Sequence, residues 1–213
     1  MTPLLRHLFF LLVVRPLVLL GLGVNARHRD RLPAVGPAIV AANHNSHLDT
    51  LVLMTLFPAS LLPRLRPVAA ADYFLRGRGL AWFARNIIGI VPLARDAGAS
   101  QGDPLAGCDA ALAAGAILIL FPEGSRGQPE RMGAFKTGIA HLARRHPQVP
   151  VVPVFLHGLG KVLPRGEILP VPFFVDVFVG AAIRWTGDKS GFMAELDRRI
   201  QALAQEGQFP AWD

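Results

Sequence analysis

Cysteine is almost absent from the chain. Cys108 stands alone, which excludes a disulfide framework and any zinc site built on several thiolates, and gives no reason to invoke an oxidising compartment. Charge is scarce too: 17% of the 213 residues are charged against 52% hydrophobic, with mean hydropathy +0.38, and a disordered chain needs the reverse balance. No internal repeat and no low-complexity tract is present, so a solenoid or an array is excluded. Uninterrupted apolar runs of membrane-spanning length are missing as well. The two longest, LFFLLVV (8–14) and LVLLGLGV (17–24), are split by Arg15-Pro16. One helix across both would reach about 25 Å, short of the roughly 30 Å hydrocarbon core, with a charge and a helix-breaking proline near its middle. A secretory signal fits poorly for the same reason, and no A-x-A cleavage site follows. Acidic residues are rare in one half only: residues 1–102 carry Asp30, Asp49, Asp72 and Asp96 against eleven arginines, whereas residues 103–213 carry eleven of each sign. The whole net charge of +7 therefore comes from the first half.

What is present fits one domain of ordinary size. The basic residues of the first half are interleaved with Leu, Phe, Trp and Pro, as in LLPRLRP (61–67) and FLRGRGLAWF (74–83). That mixture suits an anionic membrane surface rather than nucleic acid. Residues 1–31 are therefore expected to form a membrane-associating helical segment, bent or paired at Arg15-Pro16 and lying in one leaflet, with a single tilted span as the alternative. The arginines from Arg27 to Arg78 would then rest on lipid phosphates. Residues 32–213 form the second unit. There, short apolar runs at 36–42, 67–71, 87–93, 116–121, 151–156 and 173–180 read as buried strands, and 46–57, 72–86, 108–115, 135–146 and 190–207 as helices or part-helices. Strand and helix alternate, and strands buried on both faces read as continuous apolar runs. The expected class is thus α/β, with a mixed, mostly parallel sheet flanked by helices.

Chemistry gathers at strand ends, where α/β sheets place their ligands. After the first strand stands Asn43-His44-Asn45-Ser46-His47-Leu48-Asp49. Ser46 can cap the following helix with Asp49 as the capping-box acid, which leaves His44 just ahead of the first turn and Asp49 one turn inside it. A carboxylate bonded to one imidazole nitrogen fixes the tautomer and stabilises the imidazolium, freeing the other nitrogen to take a proton. The spacing H-x4-D is met by chance in many chains, and a capped helix with incidental histidines has the same sequence. A second cluster, Phe121-Pro122-Glu123-Gly124-Ser125-Arg126-Gly127, also follows an apolar strand. Gly124 permits a sharp turn, Arg126 offers a forked cation suited to phosphate, and Glu123 can orient that fork or a substrate hydroxyl. A third, Gly89-Ile90-Val91-Pro92-Leu93-Ala94-Arg95, ends another strand with an arginine.

Four blocks in order resemble those of the glycerolipid acyltransferase family: NHNSHLD (43–49) its NHxSxxD block, GIVPLAR (89–95) its second block, FPEGSRG (121–127) its FPEGTRS block, and VVPVFLHG (151–158) its proline-containing fourth block. The stretch GAFKTGIAHLA (133–143) is similar to the FKxGxxxLA usual after the third. Ser125 replaces the commoner Thr and Gly127 the commoner Ser. The resemblance implies transfer of a fatty acyl group from acyl-CoA or acyl carrier protein to the free hydroxyl of 1-acyl-glycerol-3-phosphate, giving phosphatidate; the lone cysteine and the N-terminal segment lead to the expectation of a monotopic or peripheral enzyme at the cytoplasmic face of a membrane. The resemblance also implies catalytic roles for His44 as general base and Asp49 as its orienting acid. Substrate binding would fall to Arg95, Glu123, Gly124, Ser125 and Arg126, with Pro153 shaping the pocket. No metal and no prosthetic group is expected, and no His position shows ligand spacing. Acylation of a different lysolipid uses the same blocks. A hydrolase would use Ser46 or Ser125 as nucleophile, yet neither lies in a G-x-S-x-G elbow. A non-catalytic lipid-binding protein has no use for His44 beside Asp49.

Overall fold

The computed structural model describes residues 2–74, 77–93, 102–125, 127, 131–162 and 174–209. In chain order the elements are α1 Thr2–Phe9, a π-helical turn Phe10–Val14, α2 Arg15–Gly21, β1 Gly23–Arg27, β2 Ala38–Ala42, α3 Leu48–Thr55, β3 Leu65–Ala70, α4 Ala71–Phe74 and α5 Arg78–Phe83. They continue with a second π-helical turn Ala84–Ile88, β4 Val91–Leu93, α6 Ala106–Ala113, β5 Ile117–Leu120, α7 Gly138–Arg145, β6 Val151–His157, α8 Leu159–Val162, β7 Phe174–Val179 and α9 Lys189–Glu206.

The strands form one seven-stranded sheet in the order β1-β7-β6-β2-β5-β3-β4. The run from β6 to β4 is parallel throughout, β7 turns antiparallel to β6, and β1 follows β7. This is the expected mixed, mostly parallel sheet. Alternation along each strand divides the core in two. Ala38, Val40, Ile117, Ile119, Val152 and Val154 face the layer that holds Phe10, Val14, Val18 and the α3 side chains. Ile39, Ala41, Leu118, Leu120, Val151 and Phe155 face α6, α7 and α9. The central strands β2 and β5 are therefore apolar and buried at every position, because helices cover both their faces.

Three expectations change. First, residues 23–27, placed by sequence inside the helical segment, form the edge strand β1, whose Gly23 to Arg27 pair with Phe174 to Phe178. Second, of the bent or paired helix expected at Arg15-Pro16, the paired form is not what the fold adopts: the helix runs on past Pro16, with a π-helical turn at Phe10–Val14 before it. Proline's ring clashes with the carbonyl four residues back and lacks an N–H, and a π-turn just before it re-spaces the ladder without ending the helix. Arg15 donates to the Phe57 carbonyl at 3.0 Å. Third, only Val91–Leu93 of the stretch 87–93 is strand. Gly89 (φ +80°) ends the preceding π-helical turn, and a Cβ there would lie 2.8 Å from the Arg6 guanidinium. Arg6 is buried and donates to the carbonyls of Leu65 and Ile88, each at 2.9 Å, fastening the N-terminal helix to the sheet.

Because β1 runs opposite to β2, Arg27, Arg29 and Arg31 stand at the sheet edge remote from the end of β2. Arg27 lies 5.1 Å from the Phe178 ring centre, Arg29 donates to the Leu56 carbonyl at 2.7 Å, and Arg31 to that of Val179 at 3.2 Å. Each of the three is exposed and also makes one contact within the fold. Topology, not sequence order, decides which edge an arginine occupies.

Candidate active site

β2, β5 and β3 are neighbours and parallel, so the loops leaving their C-terminal ends converge on one edge of the sheet. His44 follows β2. Its backbone cannot continue the strand ladder, because Asn43 closes it: the Asn43 amide donates to the Leu156 carbonyl at 2.8 Å and accepts the Leu156 N–H at 2.7 Å. Asn45 Nδ2 donates to the same carbonyl at 3.0 Å. The loop is thus pinned to β6 on one side before α3 begins.

Asp49 anchors it from the other side. Its Oδ2 accepts from His44 Nδ1 at 2.8 Å, from the Asn45 N–H at 2.6 Å and from the Ser46 N–H at 2.9 Å, while Ser46 Oγ accepts the Leu48 N–H at 3.3 Å. This is the capping exchange expected of Ser46 and Asp49, with His44 drawn into it. Asp49 is fully buried and its Oδ1 meets no donor among the described residues. Burial pushes its carboxyl up from the usual carboxylate range, against the pull of His44, Ser46 and Asn45. The Phe121 ring stacks on the His44 imidazole with centres 4.1 Å apart and planes 18° apart. Ring face and Nδ1 are therefore both fixed, and Nε2 is the nitrogen left for chemistry.

The turn after β5 brings the second cluster to this edge, as the sequence led us to expect. Gly124 adopts φ +71°, open to glycine at little cost, and the Lys136 side chain lies where a Cβ would stand, 2.9 Å away. The Lys136 N–H donates to the Pro122 carbonyl at 2.8 Å. Glu123 is buried, with burial pushing its carboxyl up while the Gly133 and His44 N–H groups pull it back. Arg95 and Arg126 lie outside the described residues.

A cavity of about 670 Å³ opens beside His44. Its walls are Pro67 to Ala70 of β3, Ile88 and Ile90, Leu105 and Cys108 of the α6 region, and Ile139 of α7, with His44, His47, Asp72 and Lys136 among its polar members. Gly124 and Ser125 line it; Glu123 and Pro153 do not. Pro153 lies instead against Gly180 and packs under α9: a Cβ on Gly180 would meet its ring at 2.8 Å and Leu203 at 3.3 Å. Its position in β6 points it to the sheet face that α9 covers, so its expected place in the substrate pocket is not the one the fold gives it. The site members that residue-by-residue reading left without a role are Asn43, Phe121 and Lys136. The first two sit inside the recognised blocks, and that was the signal available.

A family model described as Acyltransferase matches residues 23–157. The chain is similar to the chloroplastic 1-acyl-sn-glycerol-3-phosphate acyltransferase LPAT1 of Arabidopsis thaliana, 33% identical over 145 residues covering 68% of this chain and 38% of that protein. It is similar to the 1-acyl-sn-glycerol-3-phosphate acyltransferase of Pseudomonas aeruginosa, 28% identical over 191 residues, 89% of this chain and 70% of that one. With the human 1-acyl-sn-glycerol-3-phosphate acyltransferase alpha, identity is 32% over 139 residues, 65% of this chain and 47% of that one. The chain thus spans less than half the length of the plant and human relatives. Its fold is that of the crystal structure of the 1-acyl-sn-glycerophosphate acyltransferase PlsC from Thermotoga maritima, with a TM-score of 0.76 over 99% of this chain and 81% of that one at 19% identity.

Proposed function

The chain belongs to the acyltransferase family, and we propose that it moves a fatty acyl group from an acyl thioester, carried on coenzyme A or acyl carrier protein, to the free hydroxyl of 1-acyl-glycerol-3-phosphate, giving phosphatidate. One observation carries this reading: an imidazole held by a buried carboxylate at 2.8 Å stands at the wall of a largely apolar cavity. His44 takes the acceptor's hydroxyl proton as that oxygen attacks the thioester carbonyl. The new C–O bond forms, the tetrahedral intermediate collapses with cleavage of the C–S bond, and the imidazolium returns the proton to the departing thiolate. Asp49 stabilises the imidazolium through Nδ1. Both steps balance with the two substrates and His44 alone. The apolar walls accept an acyl chain. The acceptor phosphate is held by Arg126 and Arg95, as the sequence blocks suggest, together with Lys136 over Gly124 and with Ser125 beside it.

The acceptor lives in a bilayer, and the N-terminal helix supplies the contact. Thr2 to Gly21 is about 30 Å of helix. Phe10, Val14 and Val18 sink into the core, whereas Leu4, Leu8, Leu11, Leu12, Leu19 and Leu20 are exposed. Pro3–Gly21 is long and apolar enough to cross a membrane, yet one side of it is fastened to the domain, which favours lying in one leaflet over crossing it. Phe9 meets Phe83 edge-on at 5.3 Å, and beside it α5 exposes Leu80 and Trp82, with Leu80 also lining the cavity. The apolar surface is thus continuous from the helix to the chamber. The test is consumption of long-chain acyl-CoA by the purified chain with and without lysophosphatidate, with products read by mass spectrometry. Phosphatidate formed only when acceptor is present supports the reading. Thioester consumed equally without acceptor makes it a hydrolase, and a product formed only from another lysolipid replaces the acceptor.

A further inference from the structure

Glu123 is the residue whose surroundings depart furthest from the role its motif suggests. It stands between residues that face the cavity, Pro122 on one side and Gly124 on the other, but it does not line the cavity itself and is 6% exposed. Its Oε1 accepts the His44 backbone N–H at 2.9 Å, and its Oε2 accepts the Gly133 N–H at 2.9 Å. The glycines around it leave it no spare room: a Cβ on Gly133 would lie 3.1 Å from Oε2, and one on Gly127 3.5 Å. Reaching an acceptor in the cavity would require this side chain to release two backbone donors and leave them buried without partners.

We infer that Glu123 is a positioning residue for His44 rather than a ligand of the acceptor: it holds the base loop to the turn after β5. The inference rests on the reading of His44 as the general base. Phe121 and Glu123 come from the same short turn, so one piece of backbone delivers both the ring that stacks on the imidazole and the carboxylate that grips the same residue's N–H. Asn43 grips the loop from β6 and Asp49 grips it from α3. Three elements thus converge on the loop carrying His44, and the backbone of His44 itself has Glu123 as its carboxylate partner. A carboxylate suits this post because it accepts two N–H groups at once, with charge-assisted strength.

The experiment uses the full chain with lysophosphatidate and acyl-CoA in mixed micelles, comparing Glu123→Ala, Glu123→Gln and Arg126→Ala. A base displaced by a fraction of an ångström to one ångström loses about 10–100-fold in rate, so Glu123→Ala is expected to lower kcat by that factor with acceptor KM changed less than about threefold. Glu123→Gln keeps one oxygen for the His44 N–H and is expected to fall between Ala and the parent. Amide hydrogen exchange over residues 43–49 should accelerate in Glu123→Ala and stay at the parental rate in Arg126→Ala. A rise of about tenfold or more in acceptor KM with kcat retained, and unchanged exchange at 43–49, would overturn the inference and return Glu123 to the acceptor. If Glu123→Ala does not fold, the kcat-against-KM split and the exchange of Glu123→Gln decide in the same way. Should His44→Ala keep its activity, the base reading fails separately, while exchange at 43–49 still reports whether Glu123 holds the loop.

Discussion

Replacing Leu12 and Leu20 together by glutamate tests whether the exposed side of the N-terminal helix meets lipid, without touching its core-facing side. The two side chains are 65% and 87% exposed, while Phe10 on the buried side is 4% exposed. Sinking a leucine fully into an apolar medium stabilises by about 1.5–3 kcal/mol. Scaled by these exposures, the pair contributes on the order of 3 kcal/mol to lipid binding, and each 1.4 kcal/mol is tenfold in an equilibrium constant. The double variant should therefore bind vesicles about 100-fold more weakly, and more weakly still because each carboxylate resists entry into hydrocarbon. Flotation with vesicles of anionic and zwitterionic lipid measures the partition, and a thermal melt in the absence of lipid should match the parent, since neither side chain packs in the core. Transfer to long-chain lysophosphatidate in vesicles should fall in parallel, whereas transfer to a soluble short-chain acceptor should not. Phe10→Glu is the contrasting control and should lower Tm or prevent folding. A double variant that partitions within about threefold of the parent would refute the assignment of this face to lipid.

Three further outcomes are expected. His44→Ala, shown folded by circular dichroism, should lose about 10²–10⁴-fold or more in kcat/KM, with Asp49→Asn acting in the same direction; retention of more than about a tenth of the parental rate contradicts the base role. Arg126→Ala should raise the KM for a phosphate-bearing acceptor more than that for the acyl donor, and Arg126→Lys should restore it only in part, because lysine lacks the fork; equal KM effects on both substrates count against a phosphate contact. Burial, with the nearby charges of Asp109 and Asp103, pushes the Cys108 thiol up to about 11. The thiolate is the reactive form, so below that value labelling by a maleimide should rise about tenfold per pH unit between pH 8 and 10. Because Cys108 lines the cavity, a bound acyl-CoA analogue should slow it; a rate that levels off at about pH 9, as for an ordinary exposed thiol, would mean the thiol is not buried as described.

Much of the sheet, and the pairing of His44 with Asp49 at its edge, is legible in consecutive residues. Runs such as Ile117–Leu120 are apolar at every position because both faces of a parallel strand are covered, and that is written in consecutive residues. The pairing of His44 with Asp49 is equally local: five residues, a capping exchange and one helical turn suffice to bring a ring nitrogen to a carboxylate. Tertiary structure decided the rest. β1 is an edge strand with exposed Asn25 and Arg27, so its apolar content is too thin to stand out from the run before it, and only its pairing with β7 makes it a strand. The helix passes Pro16 because a π-turn just before it re-spaces the backbone ladder, with the Arg15 N–H bonded to the Phe10 carbonyl, which composition does not reveal. Arg27, Arg29 and Arg31 are remote from the site because β7 reverses direction against β6, a fact of topology. Glu123 shares its motif block with cavity-lining neighbours yet points elsewhere, and Pro153 belongs to a block none of whose residues lines the cavity. A motif fixes which residues arrive at a strand end. Strand parity and the donors waiting in neighbouring loops fix which way each side chain turns, and those donors come from residues up to 79 positions away.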